Sequence, residues 1–173
     1  MEKRQEELEQ LLDALRQGEL QGREVYHAVQ TFGENNFQVA RPEVEALLQS
    51  DDYALRHVAL KVLTLYWRLA EHWETARQVL LHDPDDECRF RAAGALGSLQ
   101  MNTQDTRTLS VLAHVVCNEQ EDRIVREASY AAMLAVLRYE PRAQNRMAAH
   151  GVDFTKEVDW EMVKRYDKIN ESE

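Results

Sequence analysis

One short pattern occurs three times in this chain of 173 residues and constrains its fold more than any other feature. In each copy an acidic residue stands four residues before an arginine, and small or aliphatic residues follow. The three acid–arginine pairs are Asp52 and Arg56, Asp85 and Arg89, and Asp122 and Arg126. The arginines lie 33 and 37 residues apart, and a repeat of that period is typical of solenoids built from stacked helix pairs.

The residues after each arginine predict which side of its helix is buried. Counted from the arginine as zero, offsets three, six and seven hold small or apolar residues in every copy. These residues are Ala59, Ala92 and Ser129, then Val62, Ala95 and Ala132, then Leu63, Leu96 and Met133. Because an α-helix turns about 100° per residue, these offsets share one face with offset ten. Offsets one, five, eight and twelve point away from it.

Composition supports an all-α fold. Only six glycines and three prolines interrupt a chain with a 44% hydrophobic fraction, and helix-forming residues are abundant. No apolar run approaches the roughly 18 residues of a membrane span. The charged N-terminal segment lacks the apolar stretch of a signal peptide. We therefore expect a cytoplasmic protein that does not enter a membrane.

Apolar spacing and turn residues predict about ten helices in five antiparallel pairs. We place them at about residues 3–17, 23–32, 42–49, 53–70, 72–82, 87–99, 106–118, 123–139, 142–150 and 156–169. Only the repeat alignment places a break near Glu71 and His72, because no glycine or proline lies there. Residues 1–40 are predicted to be an N-terminal capping pair, 41–140 three repeats and 141–173 C-terminal capping helices. Together they are predicted to form a single domain, 1–173.

The three copies resemble the HEAT-repeat family over about residues 43–138, most closely in the run of residues 92–97, AAGALG. The resemblance implies a right-handed α-solenoid of HEAT-like helix pairs. It also implies a structural ladder of ion pairs along the turn edge, formed by Asp52, Asp85 and Asp122 with Arg56, Arg89 and Arg126. Two departures from the family pattern are Ser129, where an alanine is usual, and the longer second interval.

The outward offsets predict a binding face on the second helix of each pair, which the resemblance makes the concave side. The row is polar and basic in the first repeat and unexpectedly apolar in the second. The predicted partner-binding residues are His57, Lys61, Phe90, Gly94, Gly97, Met101 and Leu134. An apolar strip of this kind is either a binding groove or is covered by residues 152–173 of the same chain.

No catalytic, cofactor-binding or metal-binding constellation is predicted. The sequence lacks a phosphate-binding glycine loop and the common hydrolase and metalloprotease motifs, and its six histidines are scattered. Cys88 and Cys117 lie among aliphatic residues and are expected to be buried thiols. Tyr66, Trp67 and Trp73 form either part of the core or a ligand cage.

These features favour a non-enzymatic protein–protein interaction module: an adaptor, scaffold or regulatory subunit. The formal charge of −10 reflects either solubility or a basic partner, and it opposes nucleic-acid binding. Resemblance to the HEAT-like repeats of bilin lyase subunits implies a lyase alternative, although no distinctive bilin residue is present. A HEAT-like DNA-repair protein would need a basic groove, which the charge opposes. The sequence carries no prediction of oligomeric state.

Overall fold

The computed structural model describes residues 2–138 and 152–167, which are mostly helical and contain no strand. The helices are α1 (Glu2–Arg16), α2 (Arg23–Glu34), α3 (Arg41–Ala46), α4 (Tyr53–Lys61), α5 (Trp73–His82), α6 (Asp86–Leu99), α7 (Thr106–Cys117), α8 (Arg123–Val136) and α9 (Trp160–Asp167). The predicted all-α class is confirmed. The predicted helix at 142–150 and the last two residues of the one at 156–169 lie outside the described residues.

Two compact units divide the chain, Met1–His72 and Trp73–Glu173. The first contains α1 to α4, and the second contains α5 to α9. Each unit has buried apolar residues of its own. A single domain over residues 1–173 stays a prediction.

The first unit is built around the predicted apolar stripes of its helices. In α2 the predicted inward residues Val25, Val29 and Phe32 are all buried. They join a core cluster with residues of α1, α3, α4 and the turns between them. A methyl group at Gly33 would lie 2.7 Å from the Tyr66 ring. This glycine therefore lets α2 pack closely against the turn that follows α4.

The predicted helix 53–70 ends earlier than expected. After α4 the chain widens into a π-helical turn, Val62–Tyr66, in which the Trp67 N–H donates to the Val62 carbonyl. Arg68 then adopts a left-handed conformation, with φ of 53°. A short 3-10 turn, Ala70–His72, leads into the second unit. The predicted break between two helices is confirmed, but it begins a few residues before the predicted position.

The second unit consists of two helix pairs and a terminal helix. Helix α5 packs on α6, and α7 packs on α8. The pairs are joined because α6 also packs on α8, and because the Trp73 indole N–H of α5 donates to Thr108 Oγ1 of α7 at 2.7 Å. Helix α9 packs on α7. This is the stacked helix-pair architecture that the repeats predicted.

The turn after α6 also closes the end of α8. The Asn102 N–H donates to the Ala135 carbonyl and the Gln104 N–H donates to the Val136 carbonyl, each at 3.0 Å. Both carbonyls lie in the last turn of α8, where helices leave carbonyls for other donors, and the Ala135 carbonyl also accepts from the Arg138 N–H at 3.4 Å. Asn102 and Gln104 both have positive φ, 63° and 59°. The two pairs are thus joined by backbone hydrogen bonds as well as by side chains.

Among the helices of the described ranges, none has both the length and the apolar character needed to cross a membrane.

Candidate partner-binding face

The repeat aspartates cap helices. Asp52, Asp85 and Asp122 each precede a helix, and each carboxylate accepts a backbone N–H from the first turn of that helix, at 2.9, 3.1 and 2.9 Å. Asp105 caps α7 in the same way. An N-cap aspartate satisfies a donor that the helix itself leaves unpaired. The acid in each copy of the repeat is therefore explained by local geometry.

The repeat arginines bind backbone carbonyls at or just after the end of the helical segment that precedes their own helix. Arg56 donates to the Ser50 carbonyl at 2.9 Å, Arg89 to the Asp83 carbonyl at 2.9 Å and Arg126 to the Val116 carbonyl at 3.0 Å. Each guanidinium thus ties the second helix of a pair to the end of the first. The predicted ladder of these arginines with the repeat aspartates stays a prediction. The shared role of the arginines lies within one repeat.

Arg89 also reaches the following repeat. Its guanidinium donates to both carboxylate oxygens of Glu121 at 2.9 to 3.2 Å, and the two side chains are only 18% and 13% exposed. Burial lowers the pKa of Arg89, but the hydrogen bonds and charge of Glu121 outweigh it, and the pKa is raised above its ordinary value. The acid in this link is Glu121, which directly precedes the predicted Asp122.

The predicted buried face is confirmed in all three repeats. Every residue at offsets three, six and seven is buried. Offset four is buried as well, in Leu60, Ala93 and Tyr130. The buried arc of each second helix is therefore wider than the sequence pattern alone indicated.

Offset eight was wrongly assigned to the outward face. Gly97 and Leu134 are buried, Leu134 to 1% exposure, as is Thr64 at the same offset of the first repeat. Offset eight lies only about 40° around the helix from the buried offset four. In α6 it faces the next second helix, because a Cβ atom at Gly97 would lie 2.8 Å from the Ala132 Cβ. Gly97 is thus a packing residue between α6 and α8, and Leu134 belongs to the core.

The other outward positions of the second unit include a group of apolar residues. Phe90 is half-buried, Gly94 is exposed and Met101 is 48% exposed. On α8 the apolar residues of the outward arc are Ala128 and Ala131, which are half-buried, and Ile124, which is 39% exposed. The same arc also carries Glu127 and Arg138, as the arc of α6 carries Glu87 and Arg91. We call the apolar group the α6–α8 strip; it consists of Phe90, Gly94, Met101, Ile124, Ala128 and Ala131.

Sequence reasoning missed Ile124. It lies two residues before Arg126, and its angle on the helix is about 160° from that arginine, within the same arc as offset five. The offsets that define the repeat run forward from each arginine and do not reach Ile124. Counting backward as well would have placed Ile124 on the outward face.

The two glycines of α6 have different environments. Gly97 is required by packing, since a methyl group there would also lie 2.9 Å from the Ala132 Cα. At Gly94 an added Cβ would have no atom within 4 Å. Packing therefore does not require a glycine at position 94, although glycine in a helix interior lowers stability by about 0.5–1 kcal/mol relative to alanine. Its effect is to leave a shallow gap in the exposed surface between Phe90 and Met101.

A scan against known protein families matches residues 41–135 to HEAT repeats. The chain belongs to the HEAT-repeat family. Searches of curated proteins and of solved structures found no match. HEAT repeats are generally protein-interaction modules, and the family is typically non-enzymatic. Similarity to bilin lyase subunits stays a prediction.

The described C-terminal segment of this HEAT-repeat protein lies against the last repeat on the side away from α6. The Tyr130 hydroxyl donates to the Glu157 carbonyl and accepts from the Asp159 N–H, and Arg126 stacks over the Phe154 ring at 4.5 Å. Tyr130 and the α6 contact at Ala132 lie roughly 160° apart around α8. Residues 152–167 thus occupy the position of a following repeat. Gly94 and Met101 remain exposed.

In the first unit the predicted polar row is less open. His57 and Lys61 are half-buried, and the Lys61 ammonium lies 5.3 Å from the centre of the Tyr66 ring. Arg68 is exposed. A role for His57 and Lys61 in partner binding stays a prediction.

The aromatic trio is divided between the cores of the two units. Trp67 is buried in the core of the first unit, and Tyr66 packs against it. Trp73 is buried in the second unit, and the Arg107 guanidinium lies 3.7 Å from the centre of its ring. The core interpretation accounts for all three residues.

The thiols are unsuited to nucleophilic chemistry. Cys88 is fully buried. Burial, reinforced by the nearby carboxylate of Asp167, raises the pKa of the half-buried Cys117 to about 11. A thiol with such a pKa stays protonated at neutral pH, and the thiolate is the reactive form. Within residues 2–138 and 152–167, His, Cys, Asp and Glu side chains form no group of three or more that could hold a metal ion.

Proposed function

We propose that this HEAT-repeat protein is a non-enzymatic adaptor, scaffold or regulatory subunit that binds a protein partner through the α6–α8 strip. The exposed apolar surface of the strip is the observation that carries the proposal. Met101 and Ile124 are both among the large hydrophobic residues that remain exposed in the described chain. Apolar patches of this kind commonly mark interaction sites.

The arrangement of the strip also supports binding. Its floor consists of small residues, Gly94, Ala128 and Ala131, and its larger side chains, Phe90, Met101 and Ile124, stand around them. Bulky anchors beside a shallow floor are a common form of interface hot spot. The Arg89–Glu121 pair and the Gly97–Ala132 contact hold α6 and α8 together, so the surface exists before a partner arrives.

A double variant of the strip and a control variant in the first unit test the proposal. Met101→Asp combined with Ile124→Asp places two charges on the strip, whereas Val39→Asp places one on an apolar side chain of the first unit that is 60% exposed. Both changes are at exposed positions, so both variants should melt close to the wild type. Tagged proteins are used for affinity purification from the native lysate, with quantitative mass spectrometry.

We expect one partner protein to be retained equally by the wild type and by Val39→Asp. The amount of that partner retained by the double variant should be lower by about tenfold or more, as when a hot spot is removed. An unchanged set of retained proteins in the double variant would refute the proposal. A cytoplasmic location for the complex stays a prediction, and microscopy of a fluorescent fusion tests it.

A further inference from the structure

The form of the α6–α8 strip restricts what shape of partner fits it. Helices α6 and α8 run parallel, because Arg89 meets Glu121 at their N-terminal ends and Asn102 meets Ala135 at their C-terminal ends. From Phe90 to Met101 the strip covers about 16 Å, the length of three helical turns. The contact of Gly97 with Ala132 brings the two helices close together, so the groove between them is shallow.

The backbone chemistry of the strip favours a helical occupant. A partner bound as an added β-strand would need free N–H and C=O groups along an edge. The strip lies along two α-helices whose interior backbone groups bond within the helix. A partner must therefore bind through side chains, and an amphipathic helix in a groove does so with apolar residues at positions i, i+3 or i+4, and i+7.

Charge differs between the two ends of the strip. The N-terminal ends of α6 and α8 and the turns before them, residues 83–91 and 119–127, are net acidic. They hold eight acidic residues, Asp83, Asp85, Asp86, Glu87, Glu119, Glu121, Asp122 and Glu127, against four arginines, Arg89, Arg91, Arg123 and Arg126. At the C-terminal end, Arg138 is exposed. The field at the first end attracts cationic groups and repels anionic ones.

Carboxylates also stand directly beside the apolar anchors. Glu87 is exposed and lies three residues before Phe90, so the two side chains are neighbours on the helix surface. Glu127 lies three residues after Ile124 and forms an ion pair with Arg123 at 2.6 Å. Arginines stand at this end as well: the Arg91 guanidinium lies 5.8 Å from the centre of the Phe90 ring, and Arg123 neutralises Glu127. The carboxylate that a partner meets beside Phe90 is therefore that of Glu87.

We infer that the partner segment is an amphipathic helix of about three turns, with lysine or arginine residues at the end that lies over the N-terminal ends of α6 and α8. This inference rests on the proposed function of the strip. Its apolar side chains cover Phe90, Met101 and Ile124, and small residues of the segment approach Gly94. Its cationic end lies within reach of Glu87.

A random 15-residue peptide library displayed on phage tests the inference. The library is selected in parallel on the wild type, on Val39→Asp and on the double variant Met101→Asp, Ile124→Asp. Peptides enriched on the first two proteins and not on the third should carry apolar residues at helical spacing and cationic residues at one end. A synthetic peptide with an enriched sequence should bind Glu87→Lys about tenfold more weakly than the wild type, because like charges then meet. Its affinity for the wild type should fall as the salt concentration rises.

Three results would overturn the inference. Strip-dependent peptides that are acidic, or that contain proline and no helical spacing, would refute the basic helix and leave the proposed function intact. A selection with no strip-dependent peptide would refute a linear three-turn segment, while the lysate comparison of the same variants still tests the proposed function. Strip-dependent peptides that bind Glu87→Lys as tightly as the wild type would refute the assignment of the cationic end.

Discussion

Replacing each glycine of α6 by alanine should change stability in opposite directions. Gly94 and Gly97 lie in the same helix, three residues apart, so the gain in helix propensity is the same for both, about 0.8–1.0 kcal/mol. At Gly94 the added methyl group has no atom within 4 Å. Gly94→Ala should therefore keep most of that gain and stabilise the fold by about 0.5–1 kcal/mol.

At Gly97 the same change meets a neighbouring backbone. The methyl group would lie 2.8 Å from the Ala132 Cβ and 2.9 Å from its Cα. Because a Cα atom has no rotamer with which to move away, α6 and α8 must separate. Overpacking of this kind costs about 1–3 kcal/mol, which exceeds or cancels the gain in propensity. Gly97→Ala should therefore destabilise the fold by about 0–2 kcal/mol.

Thermal melts followed by far-ultraviolet circular dichroism measure the difference. A change of 1 kcal/mol moves the midpoint by about 2–4 °C in a protein of this size, so Gly94→Ala should melt about 1–4 °C above the wild type. Gly97→Ala should melt at or below the wild-type midpoint. A Gly94→Ala midpoint below that of the wild type would show that the position is not open, and a Gly97→Ala midpoint above it would refute the close approach of α6 and α8.

Three further outcomes follow from the same structure. Arg89→Ala should lower the free energy of unfolding by about 1–3 kcal/mol, because its carboxylate and carbonyl partners lose their donor. Arg4→Ala, at an exposed ion pair, should lower it by less than about 0.5 kcal/mol. Equal melting midpoints of the two variants would refute this difference. Thr108→Val should lower the free energy of unfolding by about 1–3 kcal/mol, because the buried Trp73 indole N–H loses its acceptor. An unchanged midpoint of urea unfolding would show that this hydrogen bond does not stabilise the fold. The pKa of Cys117, raised to about 11, predicts slow alkylation by iodoacetamide at pH 8 and faster alkylation towards pH 11. The free energy of unfolding should fall as the pH rises towards 11, because the thiol of the unfolded chain ionises at a lower pH than that of the folded chain. Rapid alkylation of the native protein at pH 8 would contradict the raised pKa.

The buried face of the repeats could be predicted from sequence because packing imposes a strict period. Ala92, Ala95 and Leu96 are buried, as their offsets required. Offset eight could not be assigned in this way. Whether Gly97 faces a neighbouring helix or solvent depends on where the next repeat lies, and that information is not carried by the periodicity of one helix.

Helix ends were harder to predict than helix faces. Asp85 and Asp122 are ordinary N-cap signals, and the predicted starts of α6 and α8 agree with the structure to within a residue. The π-helical turn after α4 and the C-terminal end of α8 are not followed by a glycine. Instead Arg68 and Arg138 take positive φ, 53° and 66°, where glycine would have been the usual signal. Tertiary contacts, which local sequence does not show, fix these two ends.

The site itself was predicted only in part. The outward position of Phe90, Gly94 and Met101 followed from their offsets, and their exposure agrees with it. Ile124 was missed because it precedes its arginine. The predicted ladder did not include Glu121, the acid that pairs with Arg89.

The hydrogen bonds from residues 102 and 104 to the end of α8 have a consequence for how mutations act on this protein. Because Asn102 and Gln104 bind Ala135 and Val136 through main-chain atoms, an alanine scan measures the backbone strain of alanine at positive φ and not the loss of the two bonds. Proline is the exception, since it lacks the N–H and cannot adopt a positive φ. Positive φ favours glycine, asparagine and aspartate at these two positions. Within that choice the side chains can change without altering the two bonds, so covariation between these positions and α8 will be weak although the repeats are physically joined.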